Sequence, residues 1–164
     1  IQGASLMHQW GPPDTGFTLK HFSPGEFKYP TLMDEGFLKD LDDLREGCGF
    51  PLTITDSART QQDLERIYAR EIARGESYPT DSAHLYTEGN PVRAVDLKPA
   101  IPKPGDGSGL DLEERELELT YQIMLMWKGA WDNCGVGIET AHWHIDDCTR
   151  LSGRRPAFWV AVSK

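Results

Sequence analysis

The sequence is poor in histidine, cysteine and long apolar runs, and each shortage limits what the protein can be. It has five histidines and three cysteines among 164 residues. Cys48, Cys134 and Cys148 are widely spaced and form no CxxC pair, which argues against a cysteine-based zinc knuckle. The sequence leaves open whether Cys134 and Cys148 form a disulfide or all three are buried free thiols.

Positive charge is also scarce. Lys and Arg number 17 against 26 Asp and Glu, which gives a net charge of −9 and a pI near 5.0. Phosphate binding needs clustered basic side chains, so we expect no nucleic-acid partner. No apolar run approaches the ~18 residues of a membrane span, so none is expected. The chain starts at Ile1 without a Met, and an export segment could have been removed, so its compartment stays open.

The apolar content that is present suffices for one core. Hydrophobic residues make up 38% of the chain and aromatic residues 10%, which is typical of a folded domain. We therefore interpret residues 1–164 as a single domain and expect a monomer, although no sequence signal bears on oligomeric state. Residues 1–30, with many Gly, Pro, Asp and Ser, are expected to form an irregular segment with turns.

Apolar periodicity predicts three helices and five strands. The helices span residues 31–49, 60–75 and 110–130, and the strands span residues 51–56, 92–97, 135–139, 142–146 and 157–162. A polar loop at 75–91 and a turn-rich stretch at 99–109 lie between them. The order contains no repeat and no linker. It predicts an α+β fold, with a small, mostly antiparallel sheet flanked by helices.

Two of the predicted helices carry specific signals. Gly47 and Gly49 are expected to end the first helix, whose apolar face comprises Phe37, Leu38, Leu41 and Leu44. In the second, Thr60 and Asp63 have the spacing of a capping box. The apolar stripe predicted for this helix comprises Leu64, Ile67, Tyr68 and Ile72.

Two of the five histidines stand close together in "GIETAHWHIDD", residues 137–147. On a strand, His142 and His144 point to one face and Trp143 to the other. With His84 in the polar loop and Asp96 on a strand, they suggest a His-Asp-His metal site of the kind that zinc accepts. Such a set also suits non-heme iron, although those enzymes generally have all-β folds. The alternative is that these histidines face solvent or are satisfied within the core.

The motifs together resemble the M15 family of zinc D-Ala-D-Ala carboxypeptidases and related peptidoglycan peptidases, whose fold is shared with the hedgehog signalling domain. The matching stretches are Ser82-Ala83-His84, Gly89, Ala94-Val95-Asp96, and His144-Ile145-Asp146 after "GVGI". Upstream, "FSPGEF" and "PLTITDSART" match as well, so that the resemblance runs from about Phe22 to Trp159. The gap from His84 to Asp96 is twelve positions, longer than the family usually has, and "YTEGNPVR" is interpreted as a lengthened loop.

The resemblance implies that His84, Asp96 and His144 hold Zn²⁺. The family usually has an acid, serving as general base, at the position that Ala141 occupies here. His142 is the first candidate to replace it, and Glu139 is the second. The alternative for Glu139 is a solvent-facing residue at the end of a strand.

Other family roles fall on Arg59, Ser82 and Asp146. Arg59 would bind substrate or steady the developing oxyanion, unless it is a surface residue paired with Asp56 or Asp63. Ser82 would contact substrate or support His84, and Asp146 would support a metal ligand. Trp143 and Trp159 are expected to lie in the core rather than to form a platform for substrate.

The expected function is therefore zinc-dependent hydrolysis of a peptide bond in the peptidoglycan stem, either D-Ala-D-Ala or L-Ala-D-Glu. A periplasmic, cell-wall or phage-associated endolysin-like protein would fit this activity. The main alternative is a non-catalytic, zinc-binding, hedgehog-like interaction module, which the missing acid at position 141 makes a serious rival. A non-heme iron enzyme is the third possibility.

Overall fold

A computed structural model describes residues 9–11, 16–128, 134–147 and 157–161. Short 3₁₀ turns at Pro24–Glu26 and Pro30–Leu32 precede the regular elements. The helices are α1 (Glu35–Cys48), α2 (Gln61–Ile67), α3 (Ala69–Ala73) and α4 (Leu112–Ile123), and a π-helical turn at Met124–Lys128 continues α4. The strands are β1 (Leu52–Asp56), β2 (Ala94–Pro99), β3 (Cys134–Ile138), β4 (Trp143–Asp147) and β5 (Ala157–Val160).

These strands form one sheet in the order β1-β2-β4-β3-β5. Every neighbouring pair is antiparallel except β3 and β5, which run parallel. Helix α1 packs against α4, and α4 packs against β2. The predicted α+β fold with a small, mostly antiparallel sheet and flanking helices is confirmed.

The core lies between the helices and one face of the sheet. Alternate residues of β2, β4 and β3 are apolar and lie on the face towards α4 and the π-helical turn, and the indole of Trp143 donates a hydrogen bond to Thr120 Oγ1 of α4 at 3.0 Å. Trp143 is thus a core residue, as the sequence predicts. Cys48 is buried and unpaired, and burial raises the pKa of its thiol to about 12, so it is an inert core thiol. Cys148 lies outside the described residues, and the predicted alternative of a Cys134–Cys148 disulfide lies outside them with it.

The first helix begins later than the periodicity predicts. Residues 30–32 form a 3₁₀ turn, and Asp34 caps α1 by accepting a hydrogen bond from the Phe37 amide at 2.9 Å. Gly47 does not end the helix, because α1 continues to Cys48 and Gly49 terminates it in the left-handed region at φ 75°. A Cβ on Gly47 would lie 2.7 Å from Gln122 Oε1, so this glycine allows α1 and α4 to approach closely.

The second predicted helix is interrupted, and the prediction that its apolar stripe is buried is wrong for two residues. Tyr68 separates α2 from α3, and its ring stacks on Tyr78 with centroids 5.5 Å apart. Leu64 is fully buried, but Ile67 and Ile72 are 52% and 41% exposed because no element of the described structure covers them. The capping box at Thr60 and Asp63 is confirmed.

The remaining boundaries shift by a few residues. Strand β2 begins at Ala94 rather than at residue 92, and regular α4 is shorter than the predicted 110–130 helix. Strand β4 begins at Trp143, so that His142 directly precedes the strand instead of lying on it. No helix within the described residues combines the length and apolar character that a bilayer crossing requires.

Candidate metal centre

Three of the predicted site residues meet in space. One ligand atom each from His84, Asp96 and His144 lies within 4.8 Å of the other two, and all three residues are buried. Asp96 Oδ1 is 2.8 Å from His144 Nδ1 and 3.3 Å from His84 Nε2. The two ring nitrogens are 3.3 Å apart. These residues therefore form a compact cluster that could hold a metal ion.

The sheet brings two of these residues together, and a loop brings the third. Asp96 and His144 face each other directly in the antiparallel register of β2 and β4, so their side chains share one face. His84 belongs to the long loop before β2, which is tied to the residues after β1. The Arg59 amide donates to the His84 carbonyl at 2.7 Å, and the Tyr86 amide donates to the Arg59 carbonyl at 2.8 Å.

The outer nitrogen of each imidazole has a fixed partner. His84 Nδ1 donates to the Ser57 carbonyl at 2.6 Å, which leaves the lone pair of Nε2 facing the cluster. His144 Nε2 lies 2.6 Å from Asp146 Oδ2, which leaves Nδ1 for the cluster. Metal-binding histidines are usually oriented in this way, by a carbonyl or carboxylate on the other nitrogen. Asp146 therefore supports His144, as the resemblance implies.

The charge balance of the cluster favours a cation. Burial opposes ionisation of Asp96, but the close contacts of its carboxylate with the His144 and His84 rings hold the pKa of its carboxyl well below the usual range. Burial likewise acts to lower the pKa of His144, but hydrogen bonds to Asp146 and Asp96 outweigh it and raise that pKa to about 9. Two carboxylates thus flank one buried imidazole, and either a proton or a metal ion can compensate them.

Two glycines of β3 give the cluster room. Gly135 and Gly137 lie opposite Asp146 and His144 in the register of β3 with β4. A Cβ on Gly135 would lie 2.8 Å from Asp146 Oδ1, and one on Gly137 would overlap the ring of Trp159. The Gly135 amide also donates to Asp146 Oδ1 at 3.2 Å. The "GVG" motif therefore provides the space into which site side chains fit.

Both candidate bases lie at the hairpin between β3 and β4. The Glu139 amide donates to the His142 carbonyl at 2.9 Å, which closes the turn. His142 Nε2 is 3.0 Å from Glu139 Oε2 and 3.6 Å from Asp96 Oδ2, so the pair borders the cluster. Glu139 is accordingly a partner of His142 rather than an isolated residue at a strand end. Ala141 is exposed in the turn.

Arg59 and Ser82, the two other predicted site residues, each have a neighbouring partner. The Arg59 guanidinium pairs with Asp56 through Nε, at 2.8 Å, and through Nη2. This pairing is the one that the sequence offered as the alternative for Arg59, although the side chain is partly buried rather than at the surface. Ser82 Oγ accepts a hydrogen bond from the His84 amide at 3.3 Å, which supports His84.

Sequence reasoning missed two contributors to this site. The first is the Ser57 carbonyl, for which the sequence carries no signal because any residue has one. The second is Trp159, which was expected in the core. Its ring instead lies 5.3 Å from the ring of His144, and its indole donates to Glu139 Oε1 at 3.1 Å. The glycine opposite it in β3 is the one signal that pointed there.

Comparisons with known proteins add no identification. No protein-family model matches the chain, and neither does any curated protein or solved structure.

Proposed function

We propose that the protein is a zinc-dependent peptidase of the M15 type that hydrolyses a peptide bond in peptidoglycan stem peptides. The observation that carries this proposal is the buried convergence of His84, Asp96 and His144, with the outer nitrogen of each imidazole already engaged. Two imidazole nitrogens and one carboxylate oxygen are a donor set that catalytic zinc sites use, with a further position left for water.

The residues present fit zinc better than a purely structural role. A buried imidazole between two carboxylates would be a costly arrangement for a core that needed only packing. When bound, zinc would polarise a peptide carbonyl and make a water nucleophilic near neutral pH. His84, Asp96 and His144 would hold it, while Asp146 and the Ser57 carbonyl would fix the two rings.

Proton transfer falls to the pair at the hairpin. With its proton on Nδ1, His142 would accept at Nε2 the proton that water loses when its oxygen bonds to the carbonyl carbon, and the new N–H would lie against Glu139 Oε2. As the carbon–nitrogen bond breaks, the same nitrogen would return the proton to the leaving amine. Glu139, 3.0 Å away, would stabilise the imidazolium between these two transfers. The Arg59 guanidinium would bind a substrate carboxylate or the oxyanion.

A binding module without catalysis is the second candidate, and Ala141 is the observation that favours it. The position where the family usually has its acid is an exposed alanine in the hairpin turn. If the Glu139–His142 pair does not serve instead, the cluster would bind metal without turnover. This alternative makes the same prediction for metal content and the opposite prediction for product formation.

Metal analysis and product analysis together test the proposal. Protein purified without added metal is analysed for zinc and iron, and is then incubated with purified muropeptides whose products are identified by mass spectrometry. We expect one zinc per chain and release of either D-Ala or a fragment cut between L-Ala and D-Glu. Iron in place of zinc would contradict the metal assignment, and zinc with no product would favour the binding module.

Single substitutions then identify the proton carrier. His142→Ala should lower kcat by roughly 10²-fold or more with zinc retained, and Glu139→Gln should lower it less, because the imidazole remains. His21→Ala and Glu46→Gln are matched controls, since this second His–Glu pair joins residue 21 to α1 and neither residue belongs to the cluster. Loss of zinc from the His142 variant would instead make His142 a ligand.

A further inference from the structure

Trp159 is placed on the cluster by strand β5 at the edge of the sheet. It faces Gly137 in the parallel register of β5 with β3, and its ring lies flat over that glycine. Any side chain at position 137 would occupy the space of the indole. The ring is also tilted by 35° against the ring of His144. Trp159 therefore forms a wall of the site rather than part of the core behind the sheet.

The indole and His142 hold opposite oxygens of one carboxylate. Glu139 Oε1 accepts from Trp159 Nε1 at 3.1 Å, and Oε2 lies 3.0 Å from His142 Nε2. The Glu139 side chain is 33% exposed, so water competes for both oxygens. A glutamate has three rotatable bonds, and without a second anchor its carboxylate would spend much of its time in solvent. Trp159 supplies that second anchor.

We propose that Trp159 is a positioning residue, whose indole N–H holds the Glu139 carboxylate against His142 so that the imidazole stays aimed at the cluster. This inference rests on the proposed function, since it assigns the positioning to proton transfer by His142. Hydrogen bonds to a charged carboxylate are stronger than neutral ones and orient it more tightly. Among the described residues, the indole N–H of Trp159 donates to Glu139 and not to His84, Asp96 or His144, so its effect passes through Glu139.

Kinetics of a conservative variant test the positioning. Trp159→Phe keeps an aromatic ring over Gly137 but removes the N–H. We expect kcat to fall roughly 10-fold, as for other supporting partners, with KM and zinc content unchanged. Trp143→Phe is the matched control, because it removes an indole N–H that is bonded to a side-chain oxygen on the opposite face. It should leave kcat within about twofold of the wild-type value.

A double-mutant cycle separates positioning from packing. If Trp159 acts through Glu139, the Trp159→Phe substitution should have no further effect on kcat in a Glu139→Ala background, which removes the oxygen that accepts from the indole. Full additivity of the two losses would overturn the proposal. So would a wild-type kcat in Trp159→Phe.

An NMR measurement keeps the inference testable without turnover. The ¹H–¹⁵N spectrum of the wild type contains the indole signals of five tryptophans, and the one missing from Trp159→Phe is assigned to Trp159. We expect that signal to move upfield in Glu139→Gln and to stay in place in Glu46→Gln. An unchanged signal in Glu139→Gln would refute the contact. If the wild type releases no product, the proposed function and the catalytic role of Trp159 both fail, while the NMR result still decides the contact.

Discussion

The two faces of the sheet are both buried on the central strands, yet they have opposite chemistry. On the face towards the helices, Val95 and Ile145 are neighbours in the register of β2 and β4 and are fully buried. On the other side, Asp96, the residue after Val95, faces His144, the residue before Ile145. The apolar face gains stability from burial, whereas the polar face buries charge and gains it only through hydrogen bonds.

The difference shows that the same strands serve stability and function through alternate residues. Because side chains alternate, a substitution on one face changes contacts that the other face does not share. Small residues mark the functional face, where Gly135 and Gly137 leave room for larger side chains. We therefore expect the effects of substitutions to separate cleanly between metal affinity and folding stability.

The largest expected effect is the loss of metal binding in Asp96→Ala. The carboxylate lies between both imidazoles, and a supporting partner alone contributes about 10- to 100-fold in affinity. Removing a direct ligand should therefore lower zinc affinity by roughly 1,000-fold or more, measured by competition with a chromophoric chelator. Zinc affinity within tenfold of the wild type would show that Asp96 is not a ligand.

On the opposite face, Ile145→Ala should reduce stability rather than binding. Its side chain is fully buried, so truncation should lower the free energy of unfolding by about 3 kcal/mol. Urea denaturation of the metal-free protein gives that value, and chelator competition on the folded fraction should give a zinc affinity close to that of the wild type. A large change in affinity would mean that the two faces are coupled through β4.

Gly135→Ala tests whether the space that this glycine leaves for the Asp146 side chain is needed. The added methyl group would overlap the Asp146 carboxylate and displace it from His144, so zinc affinity should fall by about 10- to 100-fold. Gly25→Ala is the control, because its Cβ would meet nothing within 4 Å. Equal affinities in the two variants would indicate that Asp146 does not need its observed position.

The smallest effect is expected at Asp63, a carboxylate that, unlike Asp96, supports only the fold. Burial acts to raise the pKa of Asp63, but hydrogen bonds from Thr60 and Lys28 hold it below its usual range. Its stabilisation is thus present above the unfolded pKa of about 3.9 and is lost as pH falls through the folded pKa. Asp63→Asn should cost about 1 kcal/mol at pH 7.

That cost should diminish from about pH 4 towards pH 2, because the carboxyl of the unfolded chain binds a proton in this range while the folded one stays ionised. Urea denaturation of both proteins from pH 7 to pH 2 measures the difference, and zinc affinity at pH 7 should not change. A difference that stays constant across this range would contradict the assigned role of the charge.

Much of the site could be predicted because its residues are chemically distinctive. His84, Asp96 and His144 stand out by type in a chain with few histidines, and strand alternation correctly put His144 and Trp143 on opposite faces. The capping box at Thr60 and Asp63 was equally readable, since it depends on local chemistry.

What could not be predicted depends on the tertiary environment. The spacing of Ile67 and Ile72 satisfies a helical stripe, but burial requires a facing surface, and the described structure offers none. Trp159 has an apolar body and one polar tip, so its composition suits a core or a site wall equally well. Only the parallel pairing of β5 with β3, a contact between distant segments, decides between them.

The outer position of β5 in the sheet has a consequence for the exposure of the cluster. It is the last strand in the order of the sheet, and it contributes the ring that covers one side of the cluster. Outer strands exchange their amide hydrogens through local fraying more readily than inner ones. We expect deuterium to enter β5 well before β4, so that this margin of the sheet detaches briefly while Asp96 and His144 on the inner strands stay in place.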